Sequence, residues 1–222
     1  FIFKVSFDKA NRSSINSYRG LGFEEGLRIL KKVKDEVGVN IITDIHESWQ
    51  AKPVSEVVDI IQIPAFLCRQ TDILLKAAKT KKYINVKKGP FLSGDACKFI
   101  INKIRESANE NIIITERGNS FGYQDLVVDM RNIPIIKNQN VPVVLDITHS
   151  NQKPNQNSGV SGGTPEFIET LACAGVAAGA NGIFLETHPH PKKALSDGSN
   201  MLELKKLDKL LKKIIQIKKV VS

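Results

Sequence analysis

The chain has 222 residues, 41% hydrophobic and 25% charged, and carries a formal net charge of +9. That composition is ordinary for a soluble globular protein with a sizeable core, and no run approaches the roughly 18 apolar residues of a membrane span. Much of the positive charge sits at the end: Glu203–Ser222 holds seven lysines and two acids. Leu204, Leu207, Leu210, Leu211, Ile214, Ile215 and Ile217 recur there at helical spacing, so the lysines read as a solvated helix face. Basic residues are not interleaved with aromatics into a platform, and a nucleic-acid partner is therefore not expected.

Apolar strand-like runs alternate with helical segments along the whole chain. Phe1–Phe7 is followed by a helix over Phe23–Val37, then by strands at Asn40–Asp44 and Val57–Ile63. A helix over Thr71–Lys79 leads to a strand at Tyr83–Lys87, and a helix around Asp95–Glu106 to one at Asn111–Thr115. A short segment near Gln124–Met130 precedes a strand at Val141–Thr148. A helix over Pro165–Gly179, a strand at Gly182–Glu186 and the basic helix close the chain. Strands spaced by helices argue for parallel β/α units. Seven short apolar runs without clean alternation read as strands buried on both faces. The expected fold is a (β/α)₈ barrel in one catalytic domain, 1–222, with the first strand missing and the chain truncated at its N-terminus. The Gly/Asn-rich stretch Ser150–Thr164 reads as a mobile loop over one end.

In such a barrel, chemistry collects at the carboxyl ends of the strands. Here the runs end in Asp8-Lys9 with Asn11-Arg12-Ser13 beyond, then Asp44, His46 and Glu47, then Gln62 with Arg69 after a short loop. They continue with Lys87-Lys88, Glu116-Arg117, Asp146 with His149, and Glu186 with His188. Each alone also reads as a polar turn or incidental surface group. In succession, Lys4, Lys9, Lys87 and Arg117 offer enough charge for a phosphorylated carboxylate. His149, Glu186 and Asp197 form a plausible ligand set for a divalent ion, although Asp197-Gly198 also reads as a turn. Cys68, Cys97 and Cys173 are odd in number and lack metal-type or redox-pair spacing, which fits a reducing, cytoplasmic setting.

These residues resemble the 3-deoxy-D-manno-octulosonate-8-phosphate synthases over essentially the whole chain. The matching segments include Phe3–Ser14 (FKVSFDKANRSS), Thr43–Ala51 (TDIHESWQA), Gln62–Asp72 (QIPAFLCRQTD) and Asn85–Gly89 (NVKKG). Asp146–Ser150 (DITHS), Ser161-Gly162-Gly163 and Glu186-Thr187-His188-Pro189 extend the match. The related heptulosonate-7-phosphate synthases have Lys-Pro-Arg-Thr in place of Ala10-Asn11-Arg12-Ser13 and fit less well. The resemblance implies a cytoplasmic, homotetrameric barrel enzyme of lipopolysaccharide precursor synthesis. Its reaction condenses phosphoenolpyruvate with arabinose 5-phosphate and water and releases phosphate, with no organic cofactor. By matching motif, Lys4, Lys9, Gln62, Ala65, Lys87 and Arg117 hold phosphoenolpyruvate. Asn11, Arg12, Ser13 and Asp44 hold arabinose phosphate, with Arg69 reaching its phosphate from a neighbouring subunit. His149, Glu186 and Asp197 match three positions of a Zn, Fe or Mn site; the fourth, Cys in metal-dependent members and Asn in metal-free ones, lies on the first strand, absent here. Cys68 and Leu195-Ser196-Asp197 look more like the metal-dependent branch. The alternatives are the heptulosonate-phosphate relative, or a catalytically inactive phosphosugar-binding chain.

Overall fold

A computed structural model describes residues 1–156 and 161–221. Two compact units divide the chain, Phe1–Gly89 with Lys98–Ile113, and Pro90–Cys97 with Ile114–Ser222. The first carries β1 (Ile2–Lys4), α1 (Phe23–Val37), β2 (Asn40–Asp44), α2 (Ala51–Ser55), β3 (Ile60–Ile63), α3 (Thr71–Lys79) and β4 (Tyr83–Lys87). Next, α4 (Cys97–Arg105) leads into β5 (Ile112–Glu116), the strand in which the units change over. The second unit continues with the hairpin β6 (Asn119–Phe121) and β7 (Asp125–Val127), then α5 (Asn132–Lys137) and β8 (Val143–Asp146). After β9 (Gln152–Lys153) and β10 (Gly162–Gly163) come α6 (Ile168–Ala177) and β11 (Gly182–Phe184). β12 (Thr187–His188), β13 (Leu202–Glu203) and α7 (Leu207–Val221) complete the described chain.

Seven strands make one sheet in the order β1-β2-β3-β4-β5-β8-β11. The registered pairs β1·β2, β2·β3, β3·β4, β5·β8 and β8·β11 are all parallel. This is the α/β class expected from the alternation of runs. Ile41, Ile61 and Ile84 in the first unit, and Ile114, Val143 and Leu145 in the second, are wholly buried. Polar residues within these strands, such as Thr43, Gln62, Asn85 and Thr115, are buried too, as expected of strands covered on both faces.

The helix α1 shows how local sequence fixes an element. Glu24 and Glu25 favour the positive end of its dipole, and Gly38 adopts the left-handed conformation at its C-terminus (φ 70°) while donating its N–H to the Lys34 carbonyl. Lys34 then donates to Asp59 at 2.6 Å, and the other Asp59 oxygen accepts the Ile41 N–H at 2.9 Å. One carboxylate thus ties α1, β2 and the turn before β3. Replacing Asp59 by alanine strips partners from a backbone donor and an ammonium group together. We expect a loss of about 1–3 kcal/mol in the urea unfolding free energy.

Several boundaries differ from the expected ones for identifiable reasons. The strand expected at Val57–Ile63 begins at Ile60, because the N–H groups of Val57 and Val58 return to the Val54 carbonyl and finish α2. The helices α2 and α5 were not expected, since each carries a proline. Pro53 and Pro134 fall in the first turn, where a missing N–H breaks no helical bond. Gln124–Met130 is not an isolated segment: Asp125–Val127 pairs antiparallel with Asn119–Phe121. Within Ser150–Thr164, β9 and β10 form a short antiparallel ladder, and residues 157–160 lie outside the described ones. The backbone is thus paired at Gln152–Lys153 and Gly162–Gly163, while the expected mobile loop falls in part on residues outside the described ones.

Candidate active site

Parallel pairing places the carboxyl ends of β1 to β4 along one edge of the first unit's strands. Lys4 Nζ lies 3.3 Å from Asp44 Oδ1, and Ser6 bridges the two, accepting from Lys4 and donating to Asp44. His46 Nε2 stands 3.2 Å from the second Asp44 oxygen. Burial opposes charge on Asp44, but Lys4, His46 and Ser6 outweigh it and hold the carboxyl well below its ordinary 3.8. A depressed folded-state value adds stability above the ordinary pKa and loses it as pH falls toward the lower one. We therefore expect the urea midpoint of the wild-type protein to drop more steeply below pH 4 than that of Asp44→Asn.

Gln62 and Asn85 stand in register on neighbouring strands and are joined by Asn85 Nδ2 donating to Gln62 Oε1 at 3.3 Å. Lys87 ends β4 in a buried position, and Lys88 is completely buried with its ammonium 3.3 Å from the Gly89 carbonyl. Beside them burial pushes the Cys68 thiol up, only partly offset by the Gly89 backbone and Lys88, so it remains a neutral core group. Ala65 is buried just after β3, whereas Arg69 is exposed, its carbonyl accepting from Lys103 at 3.0 Å. Of the loop residues after β1, Asn11 and Ser13 are exposed and Lys9 and Arg12 half-buried. The structure therefore brings Lys4 and Asp44 into contact and pairs Gln62 with Asn85, but leaves Asn11 and Ser13 at the surface.

In the second unit, Asp146 at the end of β8 is fully buried. One of its oxygens accepts from the Thr148 N–H, the Thr148 hydroxyl and the His149 N–H, at 3.1, 3.1 and 2.9 Å. The other stands 2.7 Å from His149 Nδ1. A carboxylate only accepts, so the proton of this contact sits on Nδ1, and Nε2 is the nitrogen turned toward Glu186. That nitrogen lies 3.6 Å from Glu186 Oε1, and ligand atoms of His149, Glu186 and Asp197 all fall within 4.8 Å of one another. A histidine whose outer N–H is held by a carboxylate is the usual orientation for metal ligation. Asp197 reaches the cluster from a left-handed backbone conformation (φ 53°), tolerable for Asp at some cost and concentrated at functional sites. Gly163 keeps that loop in place, because an added Cβ would stand 1.7 Å from Asn200 Oδ1.

Arg117 follows β5 and is buried, donating to Gln152 Oε1 at 2.9 Å and the His149 carbonyl at 3.3 Å. Burial lowers its pKa, while Asp146 and Glu116 raise it and preserve the cation. Sequence reasoning missed three contributors: Ser6 as the link between Lys4 and Asp44, Asp146 as the orienting partner of His149, and Gln152 beside Arg117. The three-residue steps Asp146, His149, Gln152 were the available signal.

Parallel β/α units whose strand ends carry buried cations, carboxylates and an oriented histidine define an α/β enzyme acting on anionic substrates. The model of the DAHP synthetase I family matches residues 1–222, and the chain belongs to that family. It is 53% identical over 222 residues to the 2-dehydro-3-deoxyphosphooctonate aldolase of Fusobacterium nucleatum, covering 100% of this chain and 80% of that protein. It is 52% identical to the proteins of that name from Koribacter versatilis and Campylobacter jejuni, covering 100% of this chain and 81% and 86% of theirs. Among the described residues, no helix is long and apolar enough to cross a membrane.

Proposed function

We propose that the protein condenses phosphoenolpyruvate with arabinose 5-phosphate and water, giving 3-deoxy-D-manno-octulosonate 8-phosphate and phosphate. What carries the reading is the placement of Lys4, Asp44, Lys87 and Arg117 at or just past strand ends, with Gln62 one residue before the end of β3, in a chain half identical to the octonate proteins. Phosphoenolpyruvate is assigned to Lys4, Lys9, Gln62, Ala65, Lys87 and Arg117, and arabinose phosphate to Asn11, Arg12, Ser13 and Asp44. The lysines and arginines cancel repulsion between two anionic substrates and so let them approach. A water oxygen adds at C2 of phosphoenolpyruvate while C3 bonds to the aldehyde carbon, and the C2–O bond to phosphate then breaks. The alkoxide that forms from the aldehyde and the departing phosphate both gain charge, which fixed cations stabilise. Asp44, held anionic by Lys4 and His46, is a hydrogen-bond acceptor suited to orienting a sugar hydroxyl.

His149, Glu186 and Asp197 fit a divalent Zn, Fe or Mn ion: one oriented imidazole nitrogen and two carboxylates suit a borderline cation. When bound, such an ion acts as a Lewis acid toward an oxygen ligand. The sheet is read as part of a (β/α)₈ barrel in a single catalytic domain, working in the cytoplasm as a homotetramer in which the exposed Arg69 serves a neighbouring subunit. The test is loss of phosphoenolpyruvate absorbance on adding arabinose 5-phosphate. A folded protein that consumes neither substrate overturns the reading, and preference for erythrose 4-phosphate moves it to the heptulosonate reaction.

A further inference from the structure

Gln152 is hydrogen-bonded to both Arg117 and a residue of the His149–Glu186–Asp197 cluster. Its Oε1 accepts from Arg117 Nη2 at 2.9 Å, and its Nε2 donates to Asp197 Oδ1 at 3.5 Å. The amide orientation is dictated at both ends, because a guanidinium only donates and a carboxylate only accepts. β9 holds the residue in place, with Gln152 in register with Gly163 of β10. Gly163 in turn packs against the Ser199–Asn200 turn that follows Asp197. Gln152 is therefore fixed by backbone pairing while its amide spans a cation and a carboxylate.

We propose that Gln152 is a positioning residue that couples anion binding at Arg117 to divalent-metal binding at His149, Glu186 and Asp197. This rests on the assignment of phosphoenolpyruvate to Arg117 and of a metal to the cluster. An anion that draws the guanidinium toward itself weakens its hold on Gln152 Oε1. The amide then shifts toward Asp197 and fixes the carboxylate for the metal. Neutralising Arg117 also removes a positive charge that opposes a nearby cation. Both effects have one sign, so each ligand strengthens the other, and the coupling is reciprocal by thermodynamic necessity. Direct attraction between the two ions survives without Gln152, so its removal reduces the coupling rather than abolishing it.

The experiment titrates Mn²⁺ into the metal-stripped protein with and without saturating phosphoenolpyruvate, for wild type, Gln152→Ala and Gln152→Glu. Wild type is expected to bind Mn²⁺ roughly tenfold more tightly with phosphoenolpyruvate present, within the usual range of site-to-site coupling. In Gln152→Ala that ratio should fall at least threefold, while each ligand alone still binds. Gln152→Glu keeps the side-chain length and the acceptor for Arg117 but cannot donate to Asp197, and it should lose coupling likewise while melting near the wild-type temperature. An unchanged ratio in both variants, or no coupling in wild type, overturns the proposal and leaves the functional reading intact. Wild type that binds neither Mn²⁺ nor phosphoenolpyruvate overturns both.

Discussion

Replacing Arg117 by alanine is expected to lower kcat/KM for phosphoenolpyruvate by about a hundredfold or more, the usual effect of deleting a charged donor from a desolvated site. Arg117 is buried, its charge is sustained by Asp146 and Glu116, and its guanidinium is already oriented by Gln152 and the His149 carbonyl. The cation is thus held at the strand end before an anion arrives, with only its bond to Gln152 to loosen. Lys87→Ala should cost a similar factor, since Lys87 is buried at the end of β4. Arg117→Lys separates charge from shape: it restores the cation but not the planar fork, and recovery should be partial. Steady-state kinetics over a range of phosphoenolpyruvate concentrations measures all three. Near-normal kinetics in both alanine variants would contradict the assignment of the anion.

The strands were the most legible part of the sequence, because burial on both faces leaves uninterrupted apolar runs. Asn40–Asp44 and Tyr83–Lys87 could be bounded to the residue, each ending where a polar group begins. The helices Phe23–Val37 and Thr71–Lys79 were equally clear, having amphipathic spacing and acids in the first turn. α2 and α5 were hidden because they are short, and a proline reads as a breaker until its position within the turn is known. Several of the named residues were legible as strand ends, Lys4, Asp44 and Lys87 in the first unit and Asp146 in the second, each where a strand closes. The internal wiring of the site was not. That Ser6 joins Lys4 to Asp44, or that Gln152 spans Arg117 and Asp197, depends on side-chain directions that spacing along the chain does not encode. Asp146 was visible as a strand end, yet only the 2.7 Å contact to His149 Nδ1 reveals which nitrogen faces Glu186.

That contact underlies the second large effect: exhaustive chelation should abolish turnover, and Mn²⁺ or Zn²⁺ should restore it. Asp146 holds the Nδ1 proton of His149, so Nε2 is the ring nitrogen that faces Glu186 and Asp197. Three converging donors of which two are anionic repel one another unless a cation or protons intervene. Asp197 adopts a left-handed conformation at the start of the Gly198–Asn200 turn. His149→Ala should therefore lose Mn²⁺ binding in a direct titration. Asp146→Asn should weaken binding by about 10–100-fold while leaving all three ligands present, the known scale for outer-shell partners of a metal-bound histidine. The pair of variants distinguishes a ligand from its orienting partner. Undiminished turnover after rigorous metal removal would overturn the metal-dependent reading and leave the assignment of the two substrates standing.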